Sequence, residues 1–412
     1  MKKFLTVVLA LAMLATCFLF SGCTSKEGNQ DDVKGNVENT NAISKDDFKI
    51  GFICLHDENS TYDKNFIDAA KAAVKAMGLR DDQYLFKTNI PESNDCLEAA
   101  ADLADSGCNI VFADSFGHED FMIQAAKEFP KVMFCHATGT KAHTENLPNY
   151  FNAFASIYEG RYLAGVAAGL KLNSMIERGK ITADKAKMGY VGAFPYAEVK
   201  SGLTSFFLGA RSVCPEVTME VKYTNLWFDI AAEKETANAL IADGCVLISQ
   251  HADSEGAPKA CEEAGVPNVA YNLDTREWGP NTALISSKIN WEPYFEHIMT
   301  SVIEGKEITQ DFCGGLKEDV VQILGLNDAV AAPGTAEKLE EVKEKLISGE
   351  IKVFDTSKFT VNGETLTEYM ADVDTDPNFE GDTQVVSDGY FHESEKRSAP
   401  YFDINIDGIT TK

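Results

Sequence analysis

The feature that most constrains the fold is a repeating order of short apolar strand, polar loop and amphipathic helix. Residues 49–55 form a β-branched and aromatic run, and apolar residues follow at helical spacing from Phe66 to Met77, with Gly78 as the stop. The unit recurs, with strands predicted at 84–87, 110–113 and 132–135 and helices at 93–106 and 119–128. Strands that alternate with helices in this way predict a parallel sheet with right-handed crossovers.

A second sheet of the same kind is predicted after a long helical stretch from Tyr158 to Ile176. Strands follow at 188–191, 220–223 and 246–249, and a helix at 198–211 follows the first of them. The helix predicted from Trp291 to Ile303 then returns the chain to the first sheet. A chain of 412 residues exceeds what one hydrophobic core usually organises, so the sequence predicts an α/β fold with two lobes and a cleft between them.

The N-terminus has the layout of a secretory signal, with Lys2 and Lys3 ahead of an apolar run from Phe4 to Phe20. The run ends in Leu-Phe-Ser-Gly-Cys, which resembles the lipobox that lipoprotein signal peptidase cuts in front of Cys23. Cleavage there makes Cys23 the lipidated, palmitate-bearing N-terminus and anchors the chain to the outer face of the cell membrane. An uncleaved anchor is the alternative, and it also places the chain outside the cytoplasm.

The domain organisation is predicted from these features together. Residues 24–47 are polar and offer too little apolar surface to offset their ordering entropy, whereas the aromatics and strand-like pieces after residue 335 indicate a folded extension. The predicted organisation is a signal peptide at 1–22, a lipidated tether at 23–47, a first lobe from 48–154 with 290–325, a second lobe from 155–289 with 326–355, and a C-terminal extension at 356–412 that packs on the lobes.

Charge and cysteine content exclude several partners. A formal net charge of −27 repels nucleic acid and anionic lipid headgroups, so no nucleic-acid partner is predicted. The ten cysteines stand mostly in apolar, strand-like contexts, without Cys-x-x-Cys pairs or zinc-type spacing to histidine. The sequence therefore favours free buried thiols and no metal site.

The sequence does not support an enzyme or a cofactor site. His136 and Cys135 are neighbours on a predicted strand, so their side chains point to opposite faces. The loop at 114–117 lacks the G-x-S-x-G nucleophile elbow, and the glycines after the strand at 188–191 do not form the G-x-G-x-x-G fingerprint of dinucleotide sites. The chain is therefore predicted to bind a ligand without chemical conversion.

Binding groups are concentrated in the loops that follow the strands. In open α/β sheets, ligands sit outside the carboxyl ends of the strands. A purine needs aromatic faces for its ring and placed polar groups for its edges. The loops supply aromatic faces at Tyr62, Phe66, Phe116, Phe194, Tyr196, Trp227 and Phe228. They supply polar groups at Asp63, Asn65, Ser115, Asn225, Asp229, Gln250, His251 and Asp253, and Lys288 ends a strand near the crossover.

Six ordered stretches between residues 49 and 355 resemble the BMP family, the basic membrane lipoproteins that include purine nucleoside receptors and purine-binding proteins of ABC importers. These stretches are FADSFGHED, FCHATGT, NAFASIYEGRYLAGVAAGLK, YVGAFPYAEVKSGLTSFFLGARSV, YTNLWFDI and ISQHADSEGA. The resemblance implies a type I periplasmic-binding-protein fold, with two Rossmann-like lobes whose parallel sheets are joined by a crossing hinge. It also implies a monomeric substrate-binding lipoprotein whose partners are a small-molecule purine and an ABC permease.

The same resemblance assigns the ligand site. Tyr62 lies where family members stack an aromatic ring on the base, and the residues around Ser115, Trp227 and His251 match further lining segments. The candidate ligand-binding residues are Tyr62, Asp63, Asn65, Phe66, Ser115, Phe116, Phe194, Trp227, Asp229, Gln250, His251, Asp253, Asn272 and Lys288.

Two departures from the family pattern bear on the cargo. Nucleoside receptors carry an acidic segment that grips ribose, whereas residues 270–275 read Ala-Tyr-Asn-Leu-Asp-Thr. The motifs HATG, EGRY and QHxDS resemble the branch associated with free bases, so a nucleobase is favoured. Lys288 matches a lysine that nucleoside binders use, so a nucleoside remains an alternative, as does a sugar. A receptor of another class, an adhesin or ligand sensor, would use its lobe surfaces instead.

Overall fold

The computed structural model describes residues 36–37, 42–373 and 383–412, which belong to one compact unit. The predicted signal peptide, Cys23 and most of the predicted tether lie outside these residues. Within the described ranges, no helix combines the length and the apolar character needed to cross a membrane.

The elements alternate along most of the chain as the sequence predicts. The strands are β1 Asn36–Val37, β2 Ile50–Ile53, β3 Tyr84–Lys87, β4 Ile110–Ala113, β5 Met133–Ala137, β6 Tyr150–Ala155, β7 Lys187–Gly192, β8 Thr218–Tyr223, β9 Leu247–His251, β10 Asn268–Tyr271, β11 Ala283–Ile289, β12 Ile308–Thr309, β13 Asp311–Gly314, β14 Val321–Leu324, β15 Met370–Ala371, β16 Thr383–Gln384, β17 Val386–Ser387, β18 Tyr390–Phe391 and β19 Ile409–Thr411. The helices are α1 Thr61–Ala76, α2 Asn94–Asp105, α3 Glu119–Glu128, α4 Ala142–Glu145, α5 Ile157–Glu177, α6 Ala197–Val213, α7 Ile230–Ala242, α8 Gly256–Ala264, α9 Glu292–Glu304 and α10 Thr335–Ile347, with short 3-10 turns at Phe116–His118 and Ala183–Lys185.

The first sheet has six strands in the order β13-β6-β5-β4-β2-β3, and every neighbouring pair is parallel. Strands β2 and β4 read Ile-Gly-Phe-Ile and Ile-Val-Phe-Ala and are buried at every position. Strands become apolar throughout when helices cover both faces of a sheet. Here α1 and α9 pack together on one face, and α2 and α3 pack together on the other. The predicted parallel α/β sheet is confirmed.

The second sheet has seven strands in the order β14-β11-β10-β9-β7-β8-β19. All neighbouring pairs are parallel except the β11–β14 pair, which is antiparallel. Helices α5 and α6 pack together, as do α7 and α8. The second run of alternating strands and helices therefore forms the second sheet that the sequence predicts.

The described chain passes between the two sheets at three places. It leaves the first sheet after β6, returns to it after β11, and leaves it again between β13 and β14. At the second passage, the side-chain amide of Asn65 on α1 donates to the carbonyl oxygen of Ile289 at 2.8 Å. The lobe boundaries remain a prediction, but residues 321–324, which the sequence analysis places in the first lobe, pair with β11 in the second sheet. A four-residue strand directly after a crossing carries no pattern that distinguishes the two sheets.

The segment after residue 355 contacts elements of both sheets. Strand β19 extends the second sheet beside β8, and the Lys200 ammonium on α6 donates to the carbonyl oxygen of Asp403 at 2.9 Å. On the other side, the Ser398 amide donates to the Asp311 carboxylate on β13 at 2.9 Å.

Seven of the eight cysteines in the described part of the chain are free thiols and buried: Cys54, Cys96, Cys108, Cys135, Cys214, Cys245 and Cys261. The eighth, Cys313, is half-buried. The prediction of free buried thiols is confirmed for the seven buried residues, which pack as small hydrophobic side chains.

Glycines allow α5 and α6 to approach backbone to backbone. A Cβ on Gly165 would lie 2.0 Å from the carbonyl oxygen of Phe206, and a Cβ on Gly209 would lie 2.1 Å from that of Tyr162. Because neither contact is with a flexible side chain, even one methyl group forces the two helices apart. The small residues of the stretch EGRYLAGVAAGLK therefore have a packing role.

Replacing Gly165 with Ala is expected to lower the free energy of unfolding by about 2 kcal/mol or more, because the added methyl overpacks this contact. Chemical denaturation monitored by circular dichroism measures the loss. Glu177→Ala, at the exposed end of the same helix, is the matched control and should unfold like the unmodified protein. Equal stabilities for the two variants would contradict the packing role.

Candidate functional site

A cavity lies between the loops that follow the strands of the two sheets. About 360 Å³ of space lies between its lining atoms, including space that opens to solvent, and about 20 Å³ of it is free for the centre of a water-sized molecule. Its lining residues are Leu55, His56, Tyr62, Asp63, Ser115, Phe116, Thr138, Glu198, Trp227, His251 and Asp253. The first seven of these belong to the first sheet's loops and α1, and the last four to the second sheet's strand β9, helix α6 and loops.

The loops of the two sheets touch one another around the cavity. The Thr61 amide, at the start of α1, donates to the carbonyl oxygen of Asp253 at 2.8 Å. The rings of Phe116 and Tyr196 have centroids 5.7 Å apart, and those of His56 and Phe228 lie 5.4 Å apart. These contacts enclose the cavity from both sides.

Aromatic side chains form part of the wall, at Tyr62, Phe116 and Trp227. Phe194 packs edge-on behind Trp227 at 5.0 Å, and its ring stacks on Tyr196 with centroids 5.0 Å apart and planes 7° apart. Tyr62, on the opposite side, donates its hydroxyl proton to the carbonyl oxygen of Asp114 at 2.8 Å. That bond fixes the Tyr62 ring, and flat apolar faces of this kind suit a flat polarisable ring.

Asp63 is a buried carboxylate on the floor of the cavity. It accepts a hydrogen bond from the His56 amide at 2.7 Å and one from the Ser60 hydroxyl at 2.6 Å. Burial opposes ionisation, but the hydrogen bonds from the His56 side chain, Ser60 and the His56 amide together lower the Asp63 pKa. Asp63 is therefore held as an anion that faces the ligand space.

Asp253 and Asp114 behave in the opposite way. Burial raises the Asp253 pKa well above its ordinary value, and the charges of Glu233, Asp63 and Glu198 raise it further. Burial and the charge of Asp63 likewise raise the pKa of Asp114. The cavity therefore combines a carboxylate anion at Asp63 with a carboxyl group at Asp253 that is held neutral, so its wall offers both oxygen acceptors and an O–H donor to a ligand.

One group of side chains has metal-ligating chemistry. Ligand atoms of Cys54, Asp63 and Asp114 lie within 4.8 Å of one another, all buried. Burial raises the pKa values of the Cys54 thiol and the Asp114 carboxyl well above their ordinary range. Metal ligands must be deprotonated, so this environment disfavours a cation, and we assign no metal to it.

The cavity brings together half of the residues that the sequence analysis selected. The selected residues that line it are Tyr62, Asp63, Ser115, Phe116, Trp227, His251 and Asp253. Phe194 stands behind them, against Trp227 and Tyr196.

The remaining selected residues lie elsewhere. Phe66 stacks on Trp291 in the core at 4.5 Å, because it is on the inward face of α1. Asp229 caps α7 by accepting from the Ala232 amide at 2.8 Å. The Asn65 amide bonds Ile289, as described above, and Gln250 accepts a hydrogen bond from the Asn268 side chain at 3.1 Å. Asn272 is buried with a positive φ of 71°, and Lys288 is half-buried on β11.

Four lining residues were not selected from the sequence: Leu55, His56, Thr138 and Glu198. Leu55, His56 and Thr138 stand just after strands, and Glu198 stands in the first turn of α6, so their position was the available signal. Thr138 also has a φ of 64°, which is unusual for a β-branched residue and marks a backbone held in place by its surroundings. Neither feature can be read from residue type alone.

Comparison with known proteins adds a family and a fold. A family model described as "ABC transporter substrate-binding protein PnrA-like" (Bmp) matches residues 50–357. A curated purine-binding protein of Brucella abortus is 33% identical over 317 residues, which cover 76% of this chain and 85% of the relative. A putative ABC transporter glucose-binding protein of Haloferax volcanii is 32% identical over 296 residues, covering 71% of this chain and 70% of the relative.

A solved structure of the same architecture is the solute-binding protein of an ABC transporter system from Aeropyrum pernix. It superposes with a TM-score of 0.62 at 18% identity, covering 74% of this chain and 93% of that one. At that identity the likeness concerns the fold, and it agrees with the two-sheet α/β architecture described above.

Proposed function

Because this chain belongs to the Bmp family of PnrA-like ABC transporter substrate-binding proteins, we propose that it captures a purine in the cavity between its two sheets and passes it to a membrane permease. The observation that carries the proposal is the cavity itself, in which aromatic walls and buried oxygen acceptors face one another. Proteins of this class bind their cargo without converting it, so no catalytic residue is assigned.

The chemistry of the lining favours a flat ring that carries N–H groups. Tyr62, Phe116 and Trp227 offer ring faces, and Asp63, Glu198 and Asp253 offer acceptors. A nucleobase such as adenine has both features. The Brucella relative, which is named as a purine-binding protein, supports this choice.

We favour a nucleobase over a nucleoside because the segment at 270–275 offers little for ribose. Asp274 is paired with the guanidinium of Arg276 at 2.6 Å, and Tyr271 and Asn272 are buried. The competing cargoes are a nucleoside and a sugar, and the similarity to a putative glucose-binding protein of Haloferax makes glucose the sugar to test.

The proposed working cycle begins with two lobes that close on the ligand and reopen on the permease. The proposed lobes are residues 48–154 with 290–320 and residues 155–289 with 321–355, because β14 pairs with β11 in the second sheet, and the extension at 356–412 packs on both. Contacts between ligand and both lobes favour the closed state, because the open state makes only half of them. We further propose that the protein works outside the cytoplasm as a monomer, anchored through a lipid on Cys23.

Uptake by intact cells tests the proposed function. Cells of the source organism that lack this chain should lose high-affinity uptake of labelled adenine and regain it when the chain is restored. Normal adenine uptake without the chain, together with lost adhesion or lost signalling, would instead favour an adhesin or a ligand sensor.

Nucleotides are expected to bind at least about 100-fold more weakly than the matching base, because placing like charges together costs several kcal/mol. Three of the lining residues in the described chain are acidic, and none is lysine or arginine. Calorimetric titration with adenine and with AMP measures the ratio. Comparable affinities for the two would mean that phosphate is recognised and that the acceptor-rich cavity is not the site.

A further inference from the structure

Arg161, from the EGRY stretch, is fully buried in α5 behind the cavity. Its guanidinium donates to the Tyr190 hydroxyl oxygen, to the carbonyl oxygen of Gln250 at 3.0 Å and to the Ser249 hydroxyl oxygen at 3.4 Å. It also lies 5.0 Å from the centre of the Tyr271 ring. All of its hydrogen-bond acceptors among the described residues are neutral, so no opposite charge offsets the desolvation free energy of this buried cation.

A chain of hydrogen bonds connects this cation to the cavity. The Tyr190 hydroxyl lies 3.4 Å from His251 Nδ1, and His251 Nε2 lies 3.4 Å from Glu198 Oε1. Both His251 and Glu198 line the cavity. Arg161 therefore reaches the ligand space through two side chains, although it does not line the cavity itself.

The donors along this chain fix the tautomer of His251. Tyr190 accepts from Arg161, so its own proton is free for His251 Nδ1, which must then be an acceptor. A neutral imidazole with Nδ1 as acceptor carries its proton on Nε2, and Nε2 faces a carboxylate that accepts it. The opposite tautomer would turn a lone pair toward Glu198.

The surroundings also keep His251 neutral. Burial lowers the His251 pKa, and the Arg161 charge lowers it further, whereas Glu198 acts in the opposite direction. The Tyr271 ring on β10 packs edge-on against the imidazole at 4.8 Å. On α6, Gly202 leaves room for it, because a Cβ there would lie 2.9 Å from His251 Nδ1.

We propose that Arg161 and Tyr190 are positioning residues for ligand selection. They hold His251 as the Nε2–H tautomer, so that Glu198 faces the cavity as a fixed hydrogen-bond acceptor and the ligand must present an N–H group to it. The selection step rests on the proposed function, since it needs a ligand in this cavity, but the tautomer can be tested in the ligand-free protein.

The test combines imidazole NMR with adenine binding in three variants. In the unmodified protein, the ¹⁵N shifts of His251 should report the Nε2–H tautomer from about pH 5.5 to about pH 7.5, and adenine affinity should be constant over that range. Arg161→Met should raise the His251 pKa, and adenine affinity should fall about 10-fold at the pH where His251 takes up a proton, because protonated His251 ties up Glu198. Arg161→Lys keeps the charge and should keep the flat pH profile.

Tyr190→Phe tests the middle of the hydrogen-bond chain. It removes only the hydroxyl, and we expect a mixture of His251 tautomers and about 10-fold weaker adenine binding, in line with the loss of one hydrogen bond to the network. Tyr223→Phe on the neighbouring strand β8 is the matched control and should change neither readout. An Nδ1–H tautomer in the unmodified protein, or wild-type spectra and pH profiles in both Arg161→Met and Tyr190→Phe, would overturn the inference. If His251 has the Nε2–H tautomer but the protein does not bind adenine, the proposed function is wrong.

Discussion

Asp253→Ala is expected to weaken adenine binding by about 100-fold, because the cavity loses a buried carboxyl group whose C=O oxygen can accept an N–H of the base and whose O–H can donate to a ring nitrogen. At the same time, the ligand-free protein should become more stable near neutral pH. Binding and stability are therefore expected to change in opposite directions.

The gain in stability follows from the raised pKa of Asp253. Burial, together with the charges of Glu233, Asp63 and Glu198, makes the folded protein hold this proton more tightly than the unfolded chain does. Such a group contributes stability at acid pH, and that contribution is lost as pH rises through the folded-state pKa. Asp253→Ala removes the ionisable carboxyl, so the ligand-free variant does not lose this stability as pH rises.

Calorimetry with adenine and thermal melting across pH measure the two effects of Asp253→Ala. Asp274→Ala is the matched control, because Asp274 is an acidic residue paired with Arg276 and is not among the lining residues. It should leave adenine affinity unchanged. If Asp274→Ala weakened binding as much as Asp253→Ala, both the site and the choice of a nucleobase would be wrong.

Glu393→Ala is expected to lower the free energy of unfolding by about 3 kcal/mol or more, because it leaves buried backbone donors without an acceptor. The Glu393 carboxylate is 2% exposed and accepts from the amides of Ser394 at 3.1 Å, Tyr401 at 2.9 Å and Phe402 at 2.8 Å. It organises the turn by which the extension reaches Asp311 on the first sheet.

The pH dependence of the Glu393 effect has a definite sign. Burial raises the Glu393 pKa to about 7, against the hydrogen bonds that lower it. The protein therefore loses part of its stability as pH rises through about 7. Glu393→Gln keeps one acceptor oxygen and cannot ionise, so it should lose less stability than Glu393→Ala and should flatten this dependence. Urea denaturation at several pH values measures both, and equal losses for Gln and Ala would argue against the acceptor role.

Much of the fold could be predicted from the sequence because strand and helix periodicities are local. The helix predicted at 119–128 matches α3, and the strand predicted at 110–113 matches β4. The sheet membership of β14 could not be predicted, since it depends on where the chain turns after Gly314. Strand β19 likewise joins the second sheet through a pairing with β8 that is distant in sequence.

About half of the selected site residues do line the cavity, because their position after a strand can be read from the sequence. Loops after parallel strands meet at one edge, so Tyr62, Ser115 and His251 could be expected together. Which side of an element a residue faces is set by packing, and Phe66 turns inward to Trp291 although it follows Tyr62 by one helical turn. The relay from Arg161 to Glu198 joins four elements and leaves no pattern in the sequence.

The most direct test of the central claim is calorimetric titration of the protein, unfolded and refolded to remove bound ligand, with adenine, guanine, hypoxanthine, their nucleosides and glucose. We predict one-to-one binding of a nucleobase, with its nucleoside weaker by about 10-fold or more and glucose without effect. Binding of glucose in the absence of any purine binding would contradict the account, and tighter binding of a nucleoside would restore ribose recognition.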